Sequence, residues 1–371
     1  MFKTPKNIDF VLEKLIQSGH TAYIVGGCVR DFLLGKIPDD FDVTTSATPQ
    51  EVISLFDKTI PTGLKHGTVT VMLDNTPIEV TTFRTENGYA DNRRPDSVEF
   101  VTDVREDLSR RDFTVNAMAY NKHEGLIDLF GGANDLNNKI LRTVGDSETR
   151  FREDALRILR LFRFAATLGF EIEENTLVSA IDCAHLLQNV SRERIFTELK
   201  KAVLGDNFRV FEQLILCGGL EFLNINKLPN FEKIKKHKNN PLICLYLSLD
   251  SKSLEALKPS NHEREFFLMF DRLAKATTPQ TDADIKEMLN VAEIKTLKSY
   301  FEYREWDTLK IDKIISSGEP YKISHLKIDG KALIGLGYKG EQIGKILEHL
   351  RRVVINEPHK NHKEALIKEI P

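Results

Sequence analysis

The stretch Ala22-Tyr23-Ile24-Val25-Gly26-Gly27-Cys28-Val29-Arg30-Asp31, with Asp40-Phe41-Asp42-Val43-Thr44-Thr45 close behind it, decides how the chain begins to fold. Four apolar residues ending in two glycines spell a short strand and an abrupt turn. Glycines there let backbone N–H groups approach an anion such as a triphosphate. The start of a following helix favours negative charge, and Arg30 adds a charged donor. A plain strand-to-helix turn explains the same residues. The second segment alternates as a strand, so Asp40 and Asp42 share one face and Phe41 turns to the core. Two carboxylates so close repel unless a cation lies between them, and their hard oxygens suit Mg²⁺. A solvated strand edge is the other reading of an Asp-x-Asp pair taken alone.

Outward from this stretch, Asp9 to Ile16 has helical spacing. Val69-Thr70-Val71-Met72-Leu73 and Ile78-Glu79-Val80-Thr81-Thr82-Phe83 are β-branched and alternating about Asp74-Asn75-Thr76-Pro77, which predicts a hairpin. Glu99-Phe100-Val101 is a further short strand. Glu79, alone among apolar neighbours, is either a residue of an exposed face or the third member of a carboxylate cluster for two metal ions. After Gly145 the character changes. Residues 150–169 repeat apolar residues at helical spacing and stop at Gly169, and to about residue 310 nearly every segment reads as helix. The expected fold class is α+β: an N-terminal head with a small mixed sheet and helices (1–140), then an all-helical neck (141–205), body (206–310) and tail (311–371). Gly335-Leu336-Gly337-Tyr338-Lys339-Gly340 matches a dinucleotide-binding pattern but lacks the strand before it, so it reads as a helix cap and turn.

A chain of 371 residues exceeds one ordinary core. With 41% hydrophobic and 29% charged residues it belongs among soluble globular proteins. No apolar run is long enough to span a bilayer and the N-terminus lacks a signal-peptide pattern, so a cytoplasmic location is expected. Four cysteines without C-x-x-C spacing argue against a zinc site or disulfide framework. The net charge of −3 excludes a generic nucleic-acid binder, so an RNA role needs a local basic face. Lys233, Lys235, Lys236, His237 and Lys238, and Arg351-Arg352, are either solvated or backbone-contacting candidates.

Gly26-Gly27-x-x-Arg30-Asp31 followed by Asp40-x-Asp42 resembles the signature of the class II tRNA nucleotidyltransferases and bacterial poly(A) polymerases. Arg110-Arg111-Asp112-Phe113-Thr114-Val115-Asn116-Ala117, Asp128-Leu129-Phe130-Gly131-Gly132, Glu153-Asp154-Ala155-Leu156-Arg157 and Ser191-Arg192-Glu193-Arg194 follow in the family's order. The likeness is dense over the first 205 residues and looser from about 325. It implies that Asp40 and Asp42 bind Mg²⁺ and that Glu79 is the third catalytic carboxylate. Gly27 and Arg30 would touch the triphosphate; Arg111, Asp112 and Asn116 would hold ribose and phosphates. Asp154, Arg157, Arg160 and Arg163 would form the nucleotide site, and the stretch from Asp128 to Gly132 would be a hinge. ATP, CTP and tRNA (its 3′ end, acceptor stem and elbow) are the expected partners, with no membrane or protein partner.

Asp154 and Arg157, i and i+3 on one helix, stand on one face and match the edge that C and A have in common, an exocyclic amino donor beside a ring-nitrogen acceptor. U and G present the opposite polarity. Arg150, Arg152, Arg157, Arg160 and Arg163 crowd this helix with few acids to balance them, which suggests an anionic ligand such as triphosphate. In the family, a loop after the catalytic strands is associated with adding A, and residues 84–95 here form one of full length. The tail resembles that of the tRNA enzymes in Ile328-Asp329-Gly330-Lys331-Ala332-Leu333 and lacks the basic extension of poly(A) polymerases. No histidine is followed by Asp, so the phosphohydrolase activity of some relatives is not expected. Full CCA addition is therefore the expected activity. CC-only or A-only addition, poly(A) synthesis and a catalytically silent RNA-binding module remain as alternatives.

Overall fold

The computed structural model describes residues 3–88, 97–227 and 229–371. The chain forms two compact units: Met1–Lys238 with Ser248–Lys258, and Asn239–Leu247 with Pro259–Pro371.

The first unit opens with helix α1 (Lys6–Gln17), whose apolar stripe Ile8, Val11, Leu12 and Leu15 is buried against β1 (Ala22–Val25). Gly26 turns the chain into α2 (Gly27–Leu33), and β2 (Asp42–Thr45) returns antiparallel to β1. Helix α3 (Pro49–Leu55) starts from a Thr48/Glu51 capping box. Then come β3 (Thr59–Gly63), β4 (Thr68–Leu73) and β5 (Thr76–Thr82). The expected hairpin is β4–β5, and its turn is tight: Asp74 and Asn75 both take positive φ, 48° and 62°. Such φ values suit a two-residue primed turn, and Asp and Asn tolerate them. A separate ribbon pairs β6 (Arg84–Asn87) with β7 (Ser97–Phe100). The start of the expected loop, Arg84 to Asn87, is therefore a strand; its remainder, Tyr89 to Pro95, lies outside the described residues.

Helix α4 (Val104–Ser109) leads to β8 (Met118–Asn121) and β9 (Gly125–Asp128), which complete a seven-stranded sheet in the order β3-β4-β5-β2-β1-β8-β9. Every pairing in it is antiparallel except β2 with β5. Beneath the sheet's centre Tyr23, Val25, Phe83, Leu108 and Ala119 form one core, with Tyr23 and Phe83 stacked at 6.2 Å. At the end of β9 the Asp128 carboxylate accepts the N–H groups of Gly132 (2.7 Å) and Ala133 (2.9 Å), capping α5 (Gly132–Asn138). Gly132 admits no side chain, because a Cβ there would stand 2.2 Å from the Thr114 carbonyl oxygen. The stretch read as a hinge carries this closely packed helix cap.

A two-stranded parallel ribbon follows, β10 (Ile140–Leu141) with β11 (Glu171–Ile172), and encloses two helices between its strands. The periodicity over 150–169 predicts one helix. Two form, α6 (Ser147–Glu153) and α7 (Leu156–Leu168), broken at Asp154, which takes extended φ/ψ of −137° and 102°. Gly169 ends α7 in the left-handed conformation. Helices α8 (Glu174–Asp182) and α9 (Arg192–Ala202) continue the unit, with α9 packed on α7.

One buried carboxylate fastens the sheet to α7. Asp112 accepts Nε and Nη2 of Arg160 at 2.8 and 2.5 Å, Nδ2 of Asn116 at 3.2 Å and the Phe113 N–H at 2.8 Å. Burial opposes its ionisation, but the Arg160 charge and these donors outweigh burial and hold its pKa at about 2.

In the second unit, Asn261–Ala274 begins at a Ser260/Glu263 capping box and buries Phe266, Phe267 and Phe270. Phe270 meets Tyr300 edge-on at 5.4 Å. The last segment has its own core of Ile328, Leu333, Ile346, Leu350, Val354 and Leu366. Gly335 ends the helix Gly330–Gly335 and Gly340 precedes Glu341–Asn356, as the cap-and-turn reading requires. Arg351 is buried and bound to Glu287 and Glu348, so it is not an RNA-facing residue; Arg352 is exposed.

Gly132→Ala is expected to lower unfolding stability by about 1–3 kcal/mol, because backbone must move to admit the methyl group; urea unfolding measures it. Asp112 has a native pKa below its unfolded value of 3.8. Its contribution is therefore complete above about pH 4 and lost as pH falls towards about 2. The stability gap between wild type and Asp112→Asn should narrow by about 2 kcal/mol across that window, read from unfolding curves at successive pH values.

Candidate active site

The site grows from the end of β1. Gly26 has φ +80° and ψ −129°, and a Cβ there would come within 3.1 Å of Arg111 Nη1. The backbone conformation favours glycine, and any side chain would also make Arg111 give way by a few tenths of an ångström. The Gly26 N–H is used by the Met118 carbonyl (3.1 Å). The first helical i→i−4 bond of α2 is Arg30 N–H to Gly26 C=O, so the N–H groups of Gly27, Cys28 and Val29 precede the helical ladder. Arg30 is occupied elsewhere. Its guanidinium is buried, donates to Asp31 (2.9 Å) and Asn116 Oδ1 (2.7 Å), and lies 5.2 Å from the Phe164 ring centre. In this arrangement it braces the turn.

Asp42 opens β2 and stands in register with Glu79 on the parallel neighbour β5. Glu79 is exposed between buried Ile78 and Val80. Asp40, also exposed, lies just before the strand, which is shorter than expected. Phe41 is half-buried against Phe32, ring centres 5.8 Å apart. The Asp42 carboxyl titrates above its ordinary value. Partial desolvation raises it most, the charges of Glu79 and Asp40 add to that, and the Arg111 guanidinium pulls it down. Among the described residues no three His, Cys, Asp or Glu stand close enough to hold a metal by themselves. The donors still fit a hard divalent ion that takes one or two carboxylates and completes its shell with water and substrate phosphate.

Arg111 is steered by a residue that the sequence reading passed over. Asp107 is wholly buried and accepts Nη2 of Arg111 (3.2 Å) and two donors of Arg110 (2.7 and 3.1 Å). Burial resists its ionisation, and the two arginines outweigh that and lower its pKa. Its i,i+3 and i,i+4 spacing to Arg110 and Arg111 was the available signal. Arg111 Nε is buried with no hydrogen-bond partner, so one donor beside the carboxylates is unspent.

Beyond Asp112 the site continues onto α7. Three guanidinium groups surround the Phe164 ring: Arg163 at 3.8 Å, Arg30 at 5.2 Å and Arg160 at 5.4 Å. The expected crowding of unbalanced arginines is not found. Arg150 and Arg157 pair with Glu153, Arg152 with Glu148, Arg160 with Asp112 and Arg163 with buried Glu198. Nor do Asp154 and Arg157 share one helix. Asp154 sits at the break, its carboxylate accepting Arg194 Nη2 (2.9 Å) and the Leu156 N–H (3.1 Å). Arg157, in the first turn of α7, is buried and donates to Glu153 (2.5 Å) and to the carbonyls of Arg150 and Arg110 (both 3.0 Å).

Residues 22–142 match the model of the poly A polymerase head domain, and 169–230 match the probable RNA and SrmB-binding site of polymerase A. The CCA-adding enzyme of Streptococcus gordonii is 36% identical over 96% of this chain and 94% of its own length. That of Lactobacillus helveticus is 38% identical over the same shares. The crystal structure of the Bacillus stearothermophilus CCA-adding enzyme in complex with CTP superposes with a TM-score of 0.82 at 32% identity, covering 99% of this chain and 98% of that one. Likeness of this extent runs through the catalytic head and the helical remainder alike: the chain belongs to the CCA-adding enzyme family of tRNA nucleotidyltransferases.

Proposed function

We propose that the chain adds C, C and A in turn to the 3′ end of tRNA, taking CTP and ATP and releasing pyrophosphate. The observation that carries this reading is the register of Asp42 with Glu79 beside Asp40, at the mouth of the Gly26–Gly27 turn. Relatives along the whole chain are CCA-adding enzymes, and related structures hold CTP or tRNA. We assign the head to 1–140, the neck to 141–205, the body to 206–310 and the tRNA-binding tail to 311–371. No helix among the described residues is long and apolar enough to cross a membrane, and a cytoplasmic site of action suits a tRNA substrate.

In this reading the terminal 3′-hydroxyl oxygen attacks the α-phosphorus of the nucleotide. The new phosphodiester forms as the bond to the bridging oxygen breaks, and the hydroxyl proton passes to a carboxylate or to water. Nucleotidyltransferases of this kind use divalent metal ions, and Asp40 and Asp42 would hold Mg²⁺, which lowers the charge on the reacting phosphates. Glu79 adds negative charge beside them. Gly27 lets the triphosphate approach the first turn of α2, and Arg111 meets its charge from the other side. Asp112, Asn116 and Arg30 keep this wall in place, while Arg160 and Arg163 extend the positive lining.

Asp154 and Arg157 read the base. The carboxylate accepts the exocyclic amino group of C or A, and the guanidinium faces the ring nitrogen. Asp154 already has an extended backbone at the helix break. Arg157 must exchange a present partner, and Glu153, which is partly exposed, is the one most easily given up.

A tRNA lacking its 3′ end should gain three residues with CTP, ATP and Mg²⁺, then stop. Extension by CTP alone or ATP alone to a finished product marks the part-reaction enzymes, and a long A tail on generic RNA marks a poly(A) polymerase. Asp40→Ala should reduce incorporation at least about a thousandfold at unchanged thermal stability; unaltered incorporation would sink the assignment and favour a catalytically silent module. Arg157→Ala should relax the choice of CTP and ATP over UTP and GTP by roughly 10-fold or more, with the Mg²⁺ requirement unchanged.

A further inference from the structure

We propose that Arg194 is a specificity-determining positioning residue: it fixes the plane of the Asp154 carboxylate that reads the base. The inference rests on the assignment of Asp154 as a base reader. Asp154 lies outside both helices, on extended backbone, so no helical neighbour restrains its side chain. The last torsion of an aspartate is broad, and a carboxylate on such a link samples many planes. Arg194, in the first turn of α9, lays its fork across both oxygens, Nη2 to Oδ2 at 2.9 Å and Nη1 to Oδ1 at 3.4 Å. The Leu156 N–H meets Oδ1 at 3.1 Å. The helix carrying Arg194 packs on α7, so the clamp reaches across from a neighbouring element.

The chemistry of the clamp follows from its acceptors. A carboxylate has about four lone-pair directions, and three donors on the protein side leave acceptor capacity for a single amino group. Held in one plane, that capacity faces an amino group favourably and a carbonyl oxygen of U or G unfavourably. Released, the carboxylate can turn towards other cations: the Arg160 guanidinium already lies within its electrostatic reach. A rotated carboxylate no longer rejects the wrong polarity. The fork of arginine matters here, because a lysine supplies one charge but cannot set a plane.

The test uses the full chain and two tRNA primers, one lacking CCA and one lacking only A, with each of the four nucleoside triphosphates supplied singly with Mg²⁺. The readout is kcat/KM for UTP or GTP divided by that for CTP or ATP. Arg194→Ala should raise this ratio about tenfold or more, and Arg194→Lys should raise it less, at thermal midpoints that show both variants folded. If Asp154→Ala raises the ratio while a folded Arg194 variant leaves it at the wild-type value, the positioning role is overturned and the base-reading assignment stands. If neither Asp154→Ala nor the Arg194 variants change it, the reading of Asp154 fails and this inference fails with it. Should Arg194→Ala not fold, the lysine variant decides alone: an unchanged ratio overturns the proposal.

Discussion

A single ionised carboxylate in the interior, that of Asp112, is the contact on which the site depends. An unpaired charge at such depth is costly, and removing one partner of a buried pair typically costs several kcal/mol. The arrangement is stable because every side of Asp112 is met: Arg160 from α7, Asn116 and the Phe113 N–H from its own segment. The Asn116 side-chain oxygen accepts from Arg30, and Arg30 holds Asp31, its neighbour within α2. One charge thus ties the Gly26–Gly27 turn, the segment carrying Arg111 and the helix carrying Arg157. Phe164 closes the circuit, with three guanidinium groups around one ring.

This wiring changes how the positive wall is understood. Arginines gathered at a site for triphosphate suggest charges awaiting an anion. Here Arg30, Arg157, Arg160 and Arg163 each already have a carboxylate or carbonyl partner. The wall is pre-organised: side chains are fixed before substrate arrives, so less rotamer entropy is lost on binding. Arg111 is paired too, with Asp107, but keeps a buried Nε that meets no acceptor and pulls down the pKa of Asp42 against the effect of burial.

The parts of the fold that local chemistry dictates were legible in the residues. β-branched alternation gave the β4–β5 hairpin, paired glycines gave the strand-to-helix turn, and Gly169 gave the end of α7. Pairing register sets Glu79 beside Asp42 while its side chain stays exposed, which neither of its two readings foresaw in full. What escaped were contacts between residues far apart in the chain. Arg160 finds Asp112 across 48 positions and Arg163 finds Glu198 across 35, so counting acids near the arginines misled. The break at Asp154 escaped because Phe151, Ala155, Leu156 and Leu159 stay in phase across it, and periodicity does not register a kink that preserves the buried stripe.

The parallel pairing of β2 with β5 has a consequence for how this fold can vary. The strands are joined through β3 and β4, so loops within that crossover can lengthen or shorten without touching the carboxylates. The register itself is quantised. Moving β5 by one residue would set Ile78 or Val80 beside Asp42, turn Glu79 to the sheet's other face and bring apolar side chains out to solvent. Moving it by two keeps the faces but carries Glu79 roughly 7 Å along the strand. No intermediate geometry exists between Glu79 beside Asp42 and Glu79 away from it. Lineages descending from such a chain can drift in loop length and surface charge, but the spacing of these carboxylates can only be kept or lost in a single step.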